Sequence, residues 1–236
     1  MQTSVGWESD KYAVGGYKDE YSGNHCIEVW NKENFNVFQN LKNIPNGRYR
    51  LSVQGYYRYN NNGTNSNIVA LETHNDGTEK LYASLYAKSG GNEVSSPLLS
   101  IASEVDNISE LGLPASNGGM PYSMSEAALA FSAGLYTGCE VIVDVTDLML
   151  VLGVRKEQMD GCDWTIWDNF ELTLLELGDN SDFTFDETVK DDIFGEATPE
   201  NPVDVTSLIM NADFSSTSGW NGNLSLAYAS GNTVAN

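Results

Sequence analysis

The chain has 236 residues, 41% of them hydrophobic and 11% aromatic, which is enough for a packed core of domain size. It carries 12 basic and 33 acidic residues, a formal net charge of -21. Such a field repels a phosphate backbone and an anionic membrane surface, so nucleic acid and lipid headgroups are excluded as expected partners. Neutral glycans and metal cations remain compatible. No stretch approaches the ~20 consecutive apolar residues that span a bilayer, so membrane insertion is not expected.

The first half of the chain is rich in short segments of alternating polarity. These predict strands at residues 26–30, 34–41 and 48–59, with a Pro45-Asn46-Gly47 turn before the third. In the third strand, Leu51, Val53, Gly55, Tyr57 and Tyr59 share one face, and Ser52, Gln54, Tyr56 and Arg58 share the other.

A second group of segments predicts a hairpin and a long loop. After a polar tip at residues 60–67, the arms of the hairpin are predicted at 68–72 and 80–87, around Asn75-Asp76-Gly77. A further strand or extended segment is predicted at 98–104, and a loop at 106–122.

One helix stands out in the second half of the chain. Ser123 or Ser125 can cap it, Glu126 lies in its first turn, and an Ala-rich run carries it to Gly134. The segments 140–145 and 148–155 are β-branched and apolar, which predicts a hairpin through Thr146-Asp147, and residues 164–177 predict a long closing strand. Many short strands with one short helix indicate an all-β protein, a β-sandwich, since the alternating helices of a parallel α/β sheet are missing.

The sequence also predicts how the chain is divided. Residues 1–177 are expected to form a sandwich that lacks its first strand, because Gly6-Trp7 near its start resembles Gly219-Trp220, which follows a predicted strand at 208–214. Residues 178–204 hold nine acidic residues and predict a linker or wrapped extension; 205–236 would open a second repeat. We expect residues 205–214 to fill the vacant edge, either within one chain or in a strand-swapped homodimer.

Three cysteines leave two alternatives open. A disulfide between Cys139 and Cys162 is one, and three buried free thiols are the other. No C-x-x-C pair occurs, which argues against a zinc ribbon or a thioredoxin-type motif.

Several short motifs, in their order along the chain, resemble one family. Asn211-Ala212-Asp213-Phe214 with Gly219-Trp220 resembles the opening of carbohydrate-binding modules of the family 4/9/22 type, and Trp167-Asp168-Asn169-Phe170-Glu171-Leu172 resembles their closing strand. Gly153-Val154-Arg155-Lys156 and the Asp163-Trp164 segment resemble a domain repeated in surface proteins of gut Bacteroidetes. The resemblance covers residues 6–177 and implies a galactose-binding-like jelly roll with one short helix, in a protein exported to the cell surface or beyond.

The same resemblance implies a structural calcium ion near the first and last strands. Asp168 matches the acidic position of the last strand, and Asp213 is nearby in the motif. The family's glutamate after phenylalanine is here Ser215, which removes one hard oxygen ligand. No signal peptide is recognised after Met1, so export is an expectation that the resemblance implies.

A sugar module needs an exposed aromatic ring beside polar side chains, because the apolar face of a pyranose stacks on the ring while its hydroxyls take hydrogen bonds. Aromatics at predicted loop edges are the candidates, with nearby polar partners: Tyr59, Tyr122, Trp164, Arg58, Arg155 and Asp163. Tyr57 and Trp30 are weaker candidates. The competing interpretation of any one of these aromatics is a core residue, and it applies first to Trp30, Trp167 and Tyr57.

Catalysis is not expected from this sequence. His25 and His74 are its only histidines and do not have metal-binding spacing, and no nucleophile elbow, phosphate loop or dinucleotide fingerprint occurs. We therefore expect a non-catalytic glycan-binding module. The alternative is a structural or adhesion spacer attached to a glycoside hydrolase, and an exposed aromatic groove distinguishes the two.

Overall fold

The structure is a computed structural model that describes residues 8–9, 15–18, 25–31, 34–63, 66–158, 161–181 and 197–213. The two Gly-Trp segments, with Trp7 and Trp220, lie outside the described residues. The elements are β1 Glu8–Ser9, β2 Gly15–Lys18, β3 His25–Trp30, β4 Phe35–Lys42, β5 Gly47–Arg58, α1 Asn67–Asn75, β6 Ala83–Ser89, β7 Asn92–Pro97, β8 Leu99–Ser100, α2 Met124–Ser132, β9 Cys139–Val145, β10 Met149–Lys156, β11 Trp164–Leu177 and β12 Val203–Asp204.

These strands form two sheets that face each other. The five-stranded sheet has the order β1-β4-β10-β6-β7. The seven-stranded sheet has the order β2-β3-β11-β5-β8, with β9 paired to β5 and β12 paired to β11. All pairs are antiparallel except β5 with β8. The prediction of an all-β sandwich is confirmed, because two antiparallel sheets enclose the main core.

The main core lies between the sheets and follows the alternation of the strands. In β5, Leu51, Val53 and Tyr57 point inward, as the sequence predicts. Phe35 stacks on Trp167 at the centre, with 5.7 Å between ring centroids and 4° between planes. Each such side chain removed from water contributes about 1.5–3 kcal/mol, so this alternation accounts for most of what holds the sheets together.

A second apolar cluster covers the outer face of the seven-stranded sheet. Tyr56 and Ile166 point away from the main core and pack under α2, against Ala127 and Phe131. Tyr136 closes this cluster, 4.6 Å from Tyr56 between centroids. The other face of β5 is therefore also buried, beneath the helices and turns that cover this part of the seven-stranded sheet.

The structure contains a second helix where the sequence predicts a strand. Residues 68–72 belong to α1, which starts after Ser66, whose hydroxyl accepts a hydrogen bond from the Ile68 amide. Ala70 packs into the second cluster. Short apolar runs do not separate strand from helix by periodicity alone, and here the helix is chosen because one face meets a hydrophobic cluster. The expectation of a single helix and of a hairpin at 68–87 is wrong.

The predicted hairpin of residues 140–155 is also not formed. β9 pairs with β5 in one sheet, whereas β10 pairs with β4 and β6 in the other. The connection crosses the sandwich and contains Leu148 at φ 62°. Both strands have the alternating pattern of a sheet, but the pattern does not specify which sheet each strand joins. Residues 98–104 likewise form only a two-residue strand followed by a 3₁₀ turn at Ile101–Glu104.

Residues 203–210, near the end of the described chain, pack on the sandwich formed by the earlier strands. β12 pairs Val203 with Leu174, and Val205 and Ile209 are buried in the main core. The Gln39 side chain donates to the Met210 carbonyl at 2.7 Å and accepts from its amide at 3.1 Å. The predicted strand at 205–214 is wrong over the described residues, which form a 3₁₀ turn at Thr206–Leu208 and further turns. The division into domains and the swapped dimer stay predictions.

The cysteines are free thiols. Cys139 is buried beside the Pro97 carbonyl, at 3.5 Å, while the Cys162 sulfur lies 3.0 Å from the Gly63 carbonyl. The proposed Cys139–Cys162 bridge is therefore not formed. The alternative of three buried free thiols is correct for Cys26 and Cys139, whereas Cys162 is free but only partly buried.

Candidate functional site

Three neighbouring strands place an arginine and two tryptophans in one row. Trp164, the first residue of β11, is paired with Trp30 of β3 on one side and with Arg58 of β5 on the other. Directly opposed residues point to the same face of a sheet, so these three side chains share the outer face of the seven-stranded sheet. They lie at one end of these strands, where β3 and β5 end and β11 begins.

Arg58 is the centre of this row. Its guanidinium carbon lies 5.3 Å from the Trp164 ring centroid and 5.8 Å from that of Tyr122. Nη1 donates to Asn67 Oδ1 at 3.2 Å, and Nη2 donates to the Cys162 carbonyl at 3.1 Å. Burial lowers the pKa of Arg58, and nearby tyrosines oppose the change. A guanidinium stays protonated in proteins, so the side chain is a cation. The guanidinium therefore orders the surrounding rings by cation–π contact and hydrogen bonds.

Asn67, the first residue of α1, connects this arginine to the loop before α2. Its amide nitrogen donates to the carbonyls of Asn117, Met120 and Pro121 at 3.3, 3.2 and 2.8 Å. In the sequence, Asn67 ends a predicted polar tip and is not distinguished from its neighbours, because its three acceptors lie about 50 residues further along the chain.

Tyr122 follows Pro121 in the chain, and a hydrogen bond to Glu126 at the start of α2 holds its backbone. Its backbone amide donates to Glu126 Oε2 at 2.6 Å, while the Glu126 amide donates to Ser123 Oγ at 3.2 Å, a capping box. The predicted cap at Ser123 is thus confirmed. The cap fixes the chain direction and leaves the Tyr122 ring 37% exposed.

Glu28 lies two residues before Trp30 on the same face of β3. Its Oε2 accepts a hydrogen bond from Trp164 Nε1 at 2.8 Å. Burial raises the pKa of Glu28, and this hydrogen bond and the charge of Arg58 oppose the rise only in part. Trp164 itself is buried, whereas Trp30 is 49% exposed. The accessible surface is therefore formed by Trp30 and Tyr122, and we call these two rings the aromatic pair.

The other predicted site residues lie elsewhere. Tyr59 is buried in the main core and packs edge-on against Tyr82, so the expectation that it lies exposed at a loop edge is wrong. Asp163 is fully buried and bonded to Lys156 and Tyr57. Of the six residues selected for sugar contact, the structure brings together Arg58, Tyr122 and Trp164, whereas Trp30 was only a weaker candidate with a core position as its competing interpretation.

Arg155 is on the outer face of the five-stranded sheet, away from the others. Its guanidinium lies 4.7 Å from the Tyr86 ring centroid and 2.6 Å from a Glu93 oxygen. This face holds a shallow groove of about 420 Å³, also lined by Phe38 and Met149.

A larger cleft, of about 1010 Å³, opens on the outer face of the seven-stranded sheet. The residues 204–213 wall it on one side, and Gln54 and Asn169 lie on its floor, hydrogen-bonded to each other. The lining aromatics Phe131 and Phe170 are buried. The cleft therefore offers polar groups without a ring on which a sugar could stack.

The segments that hold the two predicted calcium residues, Asp168 and Asp213, are joined by a backbone hydrogen bond. The Phe170 amide, two residues after Asp168, donates to the Ala212 carbonyl, which precedes Asp213. Asp168 is buried and accepts the Asn169 amide through Oδ1, whereas Asp213 is exposed. Calcium takes six to eight oxygen ligands, and among the described residues no three His, Cys, Asp or Glu side chains form a metal-binding group. The calcium ion stays a prediction.

No protein-family model matches the chain, and no curated protein matches it either. Among solved structures, the chain is similar to the carbohydrate-binding module TmCBM61, solved in complex with β-1,4-galactotriose. The match covers 70% of this chain and 86% of that one, at 16% sequence identity and a TM-score of 0.37. Because that score is low, the fold assignment rests on the sheets and their register. None of the helices in the described part of the chain has the length and apolarity to cross a membrane.

Proposed function

We propose that this chain is a non-catalytic carbohydrate-binding module of an exported bacterial protein, in a glycan-utilisation or surface role. The observation that carries the proposal is the aromatic pair. Trp30 and Tyr122 are 49% and 37% exposed; Trp30 is paired on its strand with the buried Trp164, and the Tyr122 ring lies against the buried guanidinium of Arg58. Large rings that are ordered and still accessible are what a sugar module needs, because the cost of ordering them has been met before the ligand binds.

The chemistry of this surface favours a neutral ligand. The rings offer apolar faces for the axial C–H groups of a pyranose, and the partly buried carboxylate of Glu28 lies two residues from Trp30 as an acceptor for a hydroxyl. The guanidinium of Arg58 is almost completely buried and engaged within the protein, so it does not offer a cation to an anionic sugar. The net charge of -21 adds long-range repulsion of uronates and sulfates.

A catalytic role has less support. Glycoside hydrolysis needs two carboxylates on opposite sides of the scissile bond, about 5 to 9 Å apart. Glu28 has a raised pKa, but its carboxylate accepts the Trp164 indole N–H, and Glu126, a second carboxylate at this site, accepts the Tyr122 amide in the helix cap.

The alternative is a structural or adhesion spacer attached to a glycoside hydrolase. Its supporting observation is that Tyr59 and Trp164, two of the three predicted platform aromatics, are buried. A spacer would use its rings for packing and bind no sugar.

A glycan array followed by calorimetry, with and without calcium, separates the two functions. We expect saturable binding of a neutral glycan that is lost in Trp30→Ala and reduced about five- to thirtyfold in Tyr122→Ala, since one stacking ring contributes on the order of 1–2 kcal/mol. The control is Ile142→Ala, which removes a side chain of similar exposure, 43%, on β9. Silence across plant, host and microbial glycans, or equal loss in the control, favours the spacer.

A further inference from the structure

The main core contains a lysine and an aspartate in direct contact. The Lys156 Nζ lies 2.9 Å from Oδ1 and 2.7 Å from Oδ2 of Asp163, and both side chains have no exposed surface. Lys156 is the last residue of β10, and Asp163 immediately precedes β11. With Nζ hydrogen-bonded to both oxygens, the carboxyl carbon lies directly behind them, and a rotation of the carboxyl group would present its face to the nitrogen.

The surroundings of this pair are aromatic and dry. The Phe35 ring centroid lies 5.7 Å from Nζ, and Phe35 stacks on the fully buried Trp167. The Tyr57 hydroxyl donates a hydrogen bond of 2.7 Å to Asp163 Oδ2. Two opposite charges in such a site have lost the solvation that stabilises them in water, which favours any reaction that makes them neutral.

We propose that Lys156 and Asp163 become joined by an intramolecular amide bond between Nζ and the Asp163 carboxyl carbon, so that this site is a self-modification site. This inference does not depend on sugar binding.

The reaction balances without any other reagent. The ammonium of Lys156 first gives a proton to the carboxylate, which yields a free amine and a carboxylic acid. The amine lone pair then forms the new N–C bond, a second proton passes from nitrogen to a carboxyl oxygen, and that C–O bond breaks to release one water. An ammonium and a carboxylate become one neutral secondary amide.

Three features of the site promote these steps. Burial lowers the pKa of Lys156, which makes the neutral nucleophilic amine more accessible, although the Asp163 carboxylate opposes this. The Tyr57 hydroxyl points at Oδ2, where negative charge develops in the tetrahedral intermediate. Holding the two groups in contact replaces an encounter in solution by an effective concentration of about 10⁵ M or more.

The bond would tie the two sheets together beside the candidate site. β10 belongs to the five-stranded sheet and β11 to the seven-stranded sheet. The Asp163 carbonyl also accepts the Asn31 amide at 3.0 Å, and its neighbours are Trp164 and, across the strand pair, Trp30. A cross-link at Asp163 would fix the backbone next to Trp164 and, through the hydrogen bond from Asn31, next to Trp30.

The first test is the mass of the purified, denatured and reduced protein. We expect it to lie one water, about 18 Da, below the mass that the sequence requires, with the loss located by tryptic mapping to a peptide in which Lys156 is not cleaved. The full mass, with normal cleavage after Lys156, in protein incubated for days in the folded state overturns the proposal and leaves a plain ion pair.

Variants distinguish this bond from other losses of water. Lys156→Arg keeps the charge and should restore the full mass. Asp163→Asn should lose one ammonia, about 17 Da, and reach the same final mass as the wild type, because an amide carbon gives the same product. Tyr57→Phe should slow the loss after refolding. If the Asp163 or Tyr57 variants do not fold, the wild-type mass and its peptide map still decide, and a loss of water that persists in Lys156→Arg overturns the proposal.

Discussion

The guanidinium of Arg58 contacts two aromatic rings from separate parts of the chain, Trp164 at 5.3 Å and Tyr122 at 5.8 Å between its carbon and the ring centroids. One ring is fixed on β11, and the other belongs to the loop before α2. The arginine therefore couples the sheet to the loop that carries Tyr122.

Removing this coupling should destabilise the fold as well as the site. We expect Arg58→Met to lower the free energy of unfolding by about 2–4 kcal/mol, because Asn67 Oδ1 and the Cys162 carbonyl each lose a donor in a poorly solvated place. Urea unfolding measures the change. Arg48→Met is the control, since Arg48 is 56% exposed in a 3.8 Å ion pair and should change stability by less than ~1 kcal/mol. Equal losses in both variants would contradict this account.

Glu28 gives the fold a pH dependence with a definite sign. Its pKa is raised by burial, so the folded state binds this proton more tightly than the unfolded state does. Its charge therefore costs stability above the raised pKa, and the cost disappears as the pH falls toward about 4. We expect Glu28→Gln, which can still accept from Trp164, to melt higher than the wild type at neutral pH and equally near pH 4. Glu171→Gln, at an exposed position, is the control, and a difference that grows on acidification would refute the prediction.

Gly153 is required by close contact between strands. A Cβ there would lie 2.2 Å from the Val37 carbonyl oxygen and 2.8 Å from the Phe38 Cα, both backbone atoms. We expect Gly153→Ala to cost about 1–3 kcal/mol or more, because β4 and β10 must separate to admit a methyl group. Gly91→Ala, where nothing lies within 4 Å, should be close to neutral. Thermal melting of the two variants side by side tests this, and similar melting temperatures would count against the strand contact.

The segment after β12 should contribute to the stability of the sandwich. Ile209 is buried in the main core, and we expect Ile209→Ala to cost about 2–5 kcal/mol through lost burial and a cavity. Ser207→Ala, two residues earlier and exposed, is the matched control. If calorimetry finds the two variants alike, residues 205–213 do not form part of the folded unit, and the expectation that this region completes the sandwich fails with it.

Much of the fold was predictable because it depends on local pattern. The alternation in residues 48–59 specified both faces of β5, the Ser123 cap and Glu126 specified the start of α2, and the run from Trp164 to Leu177 specified the longest strand. Side-chain period and capping chemistry operate over a few residues, so a sequence displays them directly.

The rest depended on partners far along the chain. The sequence does not say that β9 and β10 join different sheets, that α1 forms where a strand is predicted, or that Asn67 holds three distant carbonyls. The same holds for the candidate site, where Tyr59 and Trp30 have similar sequence contexts but opposite burial. Composition, charge and strand period determined that this is an acidic all-β sandwich. Which aromatics are buried, and that Lys156 meets Asp163, was decided only by tertiary packing, because burial is a property of the neighbours that the fold brings together.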